Sequence, residues 1–199
     1  MHLFIDWNGV LNSQRFWSGC PWKSEINNYL FKKNRQVVLD WMRGKLSAYE
    51  VCMLISDHLF LDREEVYRSL VKSVLDFKID DEVLTMISVL RKYGHKVYIS
   101  SDNINLFRDF VIKNLRLDDY FDGYCLSCER KAIKGDVVHG NEMFFTPFMK
   151  RNEVDFKNTI IFDDGNLENL CKYIDVKFCK VTKDKDIKSY LKEMVYVGS

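Results

Sequence analysis

The chain has 199 residues, 47% of them hydrophobic, so it can bury a full core as one domain or as one domain with a modest insertion. Its 30 Lys and Arg residues nearly balance 29 Asp and Glu residues, which disfavours a nucleic acid or an anionic membrane as a partner. No apolar run approaches the roughly 20 residues that span a bilayer, and Asp6 interrupts the stretch where a signal peptide would be apolar. Six scattered cysteines favour free thiols in a reducing compartment. We therefore expect a cytoplasmic protein with neither a membrane nor a nucleic-acid partner.

Five short runs of β-branched and aromatic residues predict the strands of the chain. They cover residues 3–5, 97–100, 124–127, 159–162 and 176–180. Helical patterns separate strands along the chain, and strands joined by helical crossovers form parallel sheets.

Only helical patterns lie between the first and the second predicted strand. Ser47 with Glu50, and Asp62 with Glu65, have the spacing of a capping box, and each pair opens a run with apolar residues every three or four positions. These signals predict a helical insertion over residues 14–80.

Further helix boundaries follow the insertion. Asp80 or Asp81 is expected to begin a helix that ends at Gly94. Thr146 and Pro147 predict the N-cap and the first helical position of a short helix before the fourth strand.

Together these elements predict an α/β fold. We expect a Rossmann-like parallel sheet with helices on both faces, formed by residues 1–13 and 81–199, and an inserted helical unit formed by residues 14–80.

Two of the predicted strands end on carboxylates. Asp6 follows the first strand, and Asp163 and Asp164 follow the fourth. In open parallel sheets ligands bind beyond the carboxyl ends of the strands, and Mg²⁺ prefers carboxylate and carbonyl oxygens. The two acidic strand ends therefore predict a Mg²⁺ site.

Four segments, in order along nearly the whole chain, carry a family resemblance. They are residues 6–11 (DWNGVL), 97–103 (VYISSDN) with Ser101, 121–123 (FDG) followed by Lys134, and 161–164 (IFDD). On these segments the chain resembles the haloacid dehalogenase (HAD) superfamily of phosphohydrolases, in the branch whose small helical (C1-type) cap is inserted after the first strand. The resemblance assigns residues 14–80 to that cap.

The resemblance implies a nucleophile and a metal site. Asp6 would attack phosphorus and form an aspartyl-phosphate. Mg²⁺ would lie between the Asp6 carboxylate, the main-chain carbonyl of Asn8 and Asp164, with Asp163 bound directly or through water.

The same resemblance implies a phosphate site. Ser101 would donate a hydrogen bond to a phosphoryl oxygen, and Lys134 would bring a positive charge to it. Asp102 and Asn103 follow Ser101 and are the expected caps of the next helix, whose N-terminal dipole favours phosphate. The loop around Lys134 is longer than the family pattern, so Lys131 is a rival for the phosphate-binding role. His139, in the same loop, could act as a substitute proton carrier.

Asn8 departs from the family pattern. Phosphatases of this kind usually carry an Asp at this position, where it protonates the leaving oxygen and then activates water. Two functions follow for the chain. One is a Mg²⁺-dependent phosphohydrolase that acts on a small phosphorylated metabolite. The other is a catalytically weakened protein that binds a phosphorylated ligand or a protein partner without turnover. A dehalogenase is disfavoured, because its chemistry does not call for the pair Asp163 and Asp164.

Overall fold

The computed structural model describes residues 1–198, with side chains through residue 196. Its strands are β1 (His2–Ile5), β2 (Lys96–Ser101), β3 (Gly123–Leu126), β4 (Val137–Val138), β5 (Asn141–Glu142), β6 (Thr159–Asp163) and β7 (Lys177–Lys180). Five of them form one sheet in the order β3-β2-β1-β6-β7, in which every neighbouring pair is parallel. The α/β prediction with a Rossmann-like parallel sheet is confirmed.

The described residues form ten α-helices, and those after residue 80 alternate with the strands. They are α1 (Lys23–Asn27), α2 (Arg35–Met42), α3 (Ala48–Leu59), α4 (Arg63–Leu75), α5 (Asp81–Lys92), α6 (Ile112–Asn114), α7 (Ser127–Arg130), α8 (Phe145–Arg151), α9 (Glu168–Tyr173) and α10 (Ile187–Gly198). Two π-helical turns cover Asn28–Lys33 and Phe107–Val111. Between residues 14 and 80, the described part of the chain forms helices and no strand.

Each predicted strand is confirmed to within one residue at either end. Ser127 is predicted to end the third strand, but in the structure it begins α7. The short antiparallel hairpin β4–β5 was not predicted, because its two-residue strands are mostly exposed and carry no apolar alternation.

The predicted capping signals of the helical insertion are confirmed. Ser47 and Glu50 form a reciprocal capping box at the start of α3. Asp62 accepts a hydrogen bond from the backbone N–H of Glu65 at the start of α4. Asp80 caps α5 in the same way.

The predicted cap of α8 is wrong. Helix α8 begins at Phe145, so Thr146 is already inside it. The carboxylate of Glu142 instead accepts hydrogen bonds of 2.6–2.8 Å from the backbone N–H groups of Phe144, Phe145 and Thr146. A negative charge is favourable at a helix N-terminus, and this one satisfies three donors that lack helical partners. The cap therefore comes from the hairpin, upstream of the helix.

Alternating side chains of the sheet build two cores. Leu3 and Ile5 of β1 point to a large apolar cluster that contains residues of α3, α4, α5 and α10. Phe4 points to the opposite face, where α8 and α9 cover a smaller cluster. Helices on both faces are thus confirmed, as expected for a parallel sheet buried on each side.

The helical segment 14–80 shares its core with the first face of the sheet. Its buried rings include Trp17 and Trp41, whose centroids lie 5.8 Å apart. Trp17 is fixed by hydrogen bonds from its backbone N–H to Ser73 Oγ and from its indole N–H to the carbonyl of Val66. Among the described residues, none of the helices combines the length and the apolar character needed to cross a bilayer.

Candidate active site

The turn after β1 is held in place by its backbone and by one large ring. The N–H of Asp6 donates to the carbonyl of Phe162 in β6 (2.9 Å), so the ends of the two central strands are joined. Trp7 is fully buried, with its ring centroid 5.0 Å from that of Phe107. Gly9 has φ +90°, and a Cβ there would overlap the carboxylate of Asp164. Glycine is therefore required at position 9, both for the backbone and for the approach of Asp164.

The predicted acidic cluster is brought together. One carboxylate oxygen from each of Asp6, Asp163 and Asp164 lies within 4.8 Å of the others. Asp6 and Asp163 are buried and Asp164 is exposed. Asp163 is oriented by Gly165, whose backbone N–H donates to Asp163 Oδ1 at 2.6 Å. Three oxygens of this kind at such a separation fit a hard divalent cation.

Lys134 reaches into this cluster from the loop after α7. Its ammonium nitrogen lies 2.8 Å from Asp6 Oδ1 and 2.6 Å from Asp163 Oδ2, and its side chain is 7% exposed. Three carboxylates and one ammonium carry a net charge of −2. The cluster therefore needs a further positive charge, and a divalent cation would neutralise it.

Ser101 ends β2 beside the cluster strands and is fully buried. Its Oγ accepts a long hydrogen bond of 3.4 Å from the side-chain amide of Asn103. Asn103 is also fully buried, and its backbone N–H donates to Ser127 Oγ. The Asn103 amide thus orients the Ser101 hydroxyl.

Asp102 does not cap the following helix. Its Oδ1 accepts a hydrogen bond of 3.0 Å from the backbone N–H of Lys134. The contact couples the loop after β2 to the loop that carries Lys134. Burial raises the pKa of Asp102 to about 6, although the nearby charge of Lys134 opposes the rise.

The side chain of Asn8 faces the loop after β2. Its amide nitrogen donates to the carbonyl of Asp102 at 3.2 Å. An amide that donates here cannot release a proton, so the side chain of Asn8 has a structural contact and no acid–base capacity.

Lys131 and His139 are not brought to the cluster. The ammonium of Lys131 donates to the carbonyl of Gly44 at 2.8 Å. His139 lies in the β4–β5 turn, where its carbonyl accepts from Asn141 and the neighbouring Gly140 carbonyl accepts from Tyr173. Of the two rival lysines, Lys134 is therefore the one that contacts the carboxylates.

The charges of the cluster shift the titration of its members. Burial raises the pKa of the Asp6 carboxyl, Lys134 lowers it and the charge of Asp163 raises it further, with a net rise. Burial alone would lower the pKa of Lys134, but Asp6, Asp163 and Asp102 together raise it above its usual value. Lys134 is consequently a fixed positive charge at neutral pH.

A supporting ion pair was not predicted from the sequence. Arg43, at the end of α2, binds Asp136 through two hydrogen bonds of 2.6 and 2.8 Å. Asp136 Oδ2 also accepts from the backbone N–H of Ile133, so the pair braces the loop on both sides of Lys134. The partners are 93 positions apart, and no local pattern could have joined them.

The similarity of this chain to known proteins lies in its structure and not in its sequence. No protein-family model and no curated protein matches the sequence. A HAD family enzyme of Bacteroides thetaiotaomicron superposes with a TM-score of 0.77 at 17% identity, covering 95% of this chain and 97% of that one. The chain has the HAD fold. The same enzyme, in complex with magnesium and inorganic phosphate, gives a TM-score of 0.73 at 17% identity over 94% of this chain and 96% of that one.

A second solved structure supports the assignment of the HAD fold. A predicted HAD-like family hydrolase of Porphyromonas gingivalis superposes with a TM-score of 0.71 at 16% identity, covering 98% of this chain and 96% of that one. Both superpositions cover at least 95% of this chain, so they include most of the helical segment 14–80.

Removing the lysine of this HAD-fold site should destabilise the metal-free protein. We expect Lys134→Met to lower the free energy of unfolding by about 3–5 kcal/mol in EDTA, because two buried carboxylates lose the cation that pairs with them. Saturating Mg²⁺ should recover part of this loss. Chemical denaturation with EDTA and with Mg²⁺ measures both effects. Lys131→Met is the matched control, and equal losses in the two variants would contradict the prediction.

The buried carboxyl of Asp102 should leave a pH-dependent signature on stability. Its pKa is about 6 in the folded chain, against 3.8 for an Asp in an unfolded chain, so the folded state binds more protons between these pH values and stability falls as the pH rises. The stability of Asp102→Asn relative to the parent should therefore increase from pH 4 to pH 7, by up to about 3 kcal/mol. Parallel curves in EDTA would refute this, and Asp57→Asn, an exposed change on α3, is the control.

Proposed function

We propose that this protein is a Mg²⁺-dependent phosphohydrolase of the HAD superfamily that acts on a small phosphorylated metabolite through an aspartyl-phosphate. The observation that carries the proposal is the convergence of Asp6, Asp163 and Asp164, with Lys134 bound between two of them. An acid cluster of net charge −2 at the carboxyl ends of parallel strands suits a divalent cation and, beside it, a phosphate. The complex of the Bacteroides enzyme with magnesium and inorganic phosphate supports this assignment.

The metal would be held by Asp6, the main-chain carbonyl of Asn8, Asp163 and Asp164. When bound, it would supply positive charge that lets a phosphate dianion approach the carboxylates. The residues fit this role, because the three carboxylates offer oxygens at one place and Lys134 alone leaves them undercompensated.

The chemistry begins with Asp6. One of its carboxylate oxygens attacks phosphorus, the bond from phosphorus to the leaving oxygen breaks, and an aspartyl-phosphate forms. The leaving oxygen takes its proton from water, because the amide of Asn8 cannot supply one. Ser101 would donate to a phosphoryl oxygen, Lys134 would place its charge on another, and the backbone N–H of Asp102 would serve as a further donor. Water then attacks the aspartyl-phosphate, which releases phosphate and regenerates Asp6.

The helical segment 14–80 takes the part of the cap in this proposal. It faces the phosphate site across the turn of Asn8, and it shares an apolar core with the sheet. Its side chains would select the leaving group, and residues 1–13 and 81–199 would carry the chemistry. A cytoplasmic location and the absence of a nucleic-acid partner stay predictions.

The test is a survey of phosphorylated metabolites. We expect the purified protein to release phosphate from at least one of them with Mg²⁺ present, and EDTA to stop the release because the acid cluster then repels the substrate. Readdition of Mg²⁺ should restore the rate. Release that survives EDTA, or no release with any compound, would reject the proposal.

A second function is favoured by the contact of Asn8 with the Asp102 carbonyl. A protein with an amide at this position would bind a phosphorylated ligand or a protein partner and turn it over slowly or not at all. General acid–base groups contribute roughly a hundred- to ten-thousandfold, so their loss separates binding from turnover. Tight Mg²⁺-dependent binding of a phosphorylated compound with no release of phosphate would favour this function.

A further inference from the structure

A cavity of about 450 Å³ lies between the turn after β1 and the helical segment. Asn8, two positions after Asp6, lines it, so the cavity adjoins the turn that follows Asp6. Its volume falls in the range of about 300–1,000 Å³ that is usual for small-molecule sites. By contrast, the depression around Arg91 and Asp122 is lined by no residue of the turn after β1.

The walls of this cavity are mainly apolar and flat. Four of its lining residues are Phe16, Phe31, Met42 and Phe77. The rings of Phe16 and Phe77 are stacked, with centroids 6.1 Å apart and an interplanar angle of 29°. Phe31 is 43% exposed, so its ring is accessible to a ligand in the cavity. Such walls bury a ring better than a polyhydroxylated chain, whose hydroxyls would lose their hydrogen bonds to water.

One polar atom in the cavity lining is left without a partner. Gln14 donates through Nε2 to the carbonyl of Asp76, but its buried Oε1 accepts no hydrogen bond from the described residues. A buried acceptor without a donor is costly, so a hydroxyl, amine or water of a bound ligand would stabilise this oxygen once the side chain turns towards the cavity.

The charges of the cavity lining have one sign. Arg15 and Lys32 are exposed lining residues, and neither forms an ion pair with any residue that the structure describes. No Asp or Glu is among the lining residues of this cavity. A ligand in the cavity would therefore meet two uncompensated cations at its exposed end.

We propose that the cavity binds the leaving group of the substrate, and that this group is a flat, largely apolar ring that carries a second acidic group. The phosphate would lie at the end lined by Asn8, the ring against Phe16 and Phe77, and the second anion near Arg15 and Lys32. This inference rests on the proposed phosphohydrolase function and names its substrate class. It disfavours sugar monophosphates, whose hydroxylated rings are neither flat nor apolar and which carry no second acidic group.

The experiment compares alcohol phosphates of similar intrinsic reactivity. We expect kcat/KM with Mg²⁺ to rise at least tenfold from glycerol phosphate to benzyl phosphate, and again from benzyl phosphate to 4-carboxybenzyl phosphate. Equal rates for glycerol and benzyl phosphates would overturn the assignment of the ring, and equal rates for the two benzyl esters would overturn that of the anion.

Variants connect each preference to its residues. Phe16→Ala should reduce the benzyl-to-glycerol ratio at least fivefold, and Phe31→Ser should do so at a position whose exposed ring contributes little to folding. The double variant Arg15→Gln, Lys32→Gln should bring the carboxybenzyl-to-benzyl ratio close to one. Arg68→Gln, an exposed change on α4, should leave both ratios as they are. Unchanged ratios in the cavity variants would reject the proposal.

A binding measurement separates this inference from the proposed function. Benzylphosphonate and 4-carboxybenzylphosphonate cannot be hydrolysed, so calorimetric titration in Mg²⁺ reports binding without turnover, and the difference from methylphosphonate reports the cavity. If no phosphate ester is turned over but 4-carboxybenzylphosphonate still binds at least tenfold more tightly than methylphosphonate, the proposed function fails and the cavity assignment stands. If esters are hydrolysed but the three phosphonates bind equally, the cavity assignment fails and the function stands.

Discussion

Asp6→Asn should remove phosphate release, by at least about a thousandfold, because an amide cannot form an acyl-phosphate and the reaction loses its nucleophile. The phosphorylated enzyme should disappear with it. Initial rates on the best substrate of the survey measure the first effect. Acid quenching with radiolabelled substrate, followed by hydroxylamine treatment of the trapped protein, measures the second.

A loss of Mg²⁺ would also stop the reaction, so the nucleophile needs a matched comparison. Asp164→Asn removes a carboxylate from the same cluster but leaves Asp6 in place. We expect excess Mg²⁺ to restore turnover in Asp164→Asn and to have no such effect in Asp6→Asn. Asp184→Asn, an exposed change, should keep the parental rate. A labelled phosphoenzyme in Asp6→Asn would exclude Asp6 as the nucleophile.

Asn8→Asp should accelerate turnover by about a hundred- to ten-thousandfold if proton transfer limits the present chain. The new carboxyl would face the carbonyl of Asp102, which now accepts from the Asn8 amide at 3.2 Å. That carbonyl favours the protonated form of a carboxyl, which is the form needed to protonate the leaving oxygen. Steady-state kcat for an alkyl phosphate, whose leaving oxygen needs a proton most, is the sensitive measurement.

Asn8→Ala is the control for this gain, because it breaks the contact with Asp102 without adding an acid. The alanine variant should be no faster than the parent. If Asn8→Asp is also no faster, proton transfer is not the limiting step, and the binding function without turnover gains support. A gain of the same size in both variants would assign the effect to loosening of the turn.

Most of the sheet could be predicted from the sequence, because the signals for its strands are local. Buried parallel strands need continuous apolar runs, and these runs are visible in residues such as Leu3 to Ile5. The prediction of the α8 cap was wrong because the group that caps this helix lies outside the local pattern. Thr146 and Pro147 have a favourable local pattern, but the Glu142 carboxylate satisfies the same backbone donors from outside the helix.

The candidate site, too, could be predicted only in part from the sequence. Asp6, Asp163 and Asp164 could be placed together because parallel strands end at the same edge of the sheet. The choice between Lys131 and Lys134 depends on the path of a loop, and the loop path depends on distant contacts such as Lys134 N–H with Asp102. No spacing rule in the sequence describes such contacts.

The attachments of the turn at residues 42–44 restrict how a ligand can arrive. Arg43 is joined to Asp136, the carbonyl of Met42 accepts from Ser127, and the carbonyl of Gly44 accepts from Lys131. Lifting the helical segment away from the sheet on this side would break all of these bonds at once. We therefore expect the entry route to run past Phe31 and Lys32, so that bulky groups at this mouth slow both the arrival of ligand and the departure of product.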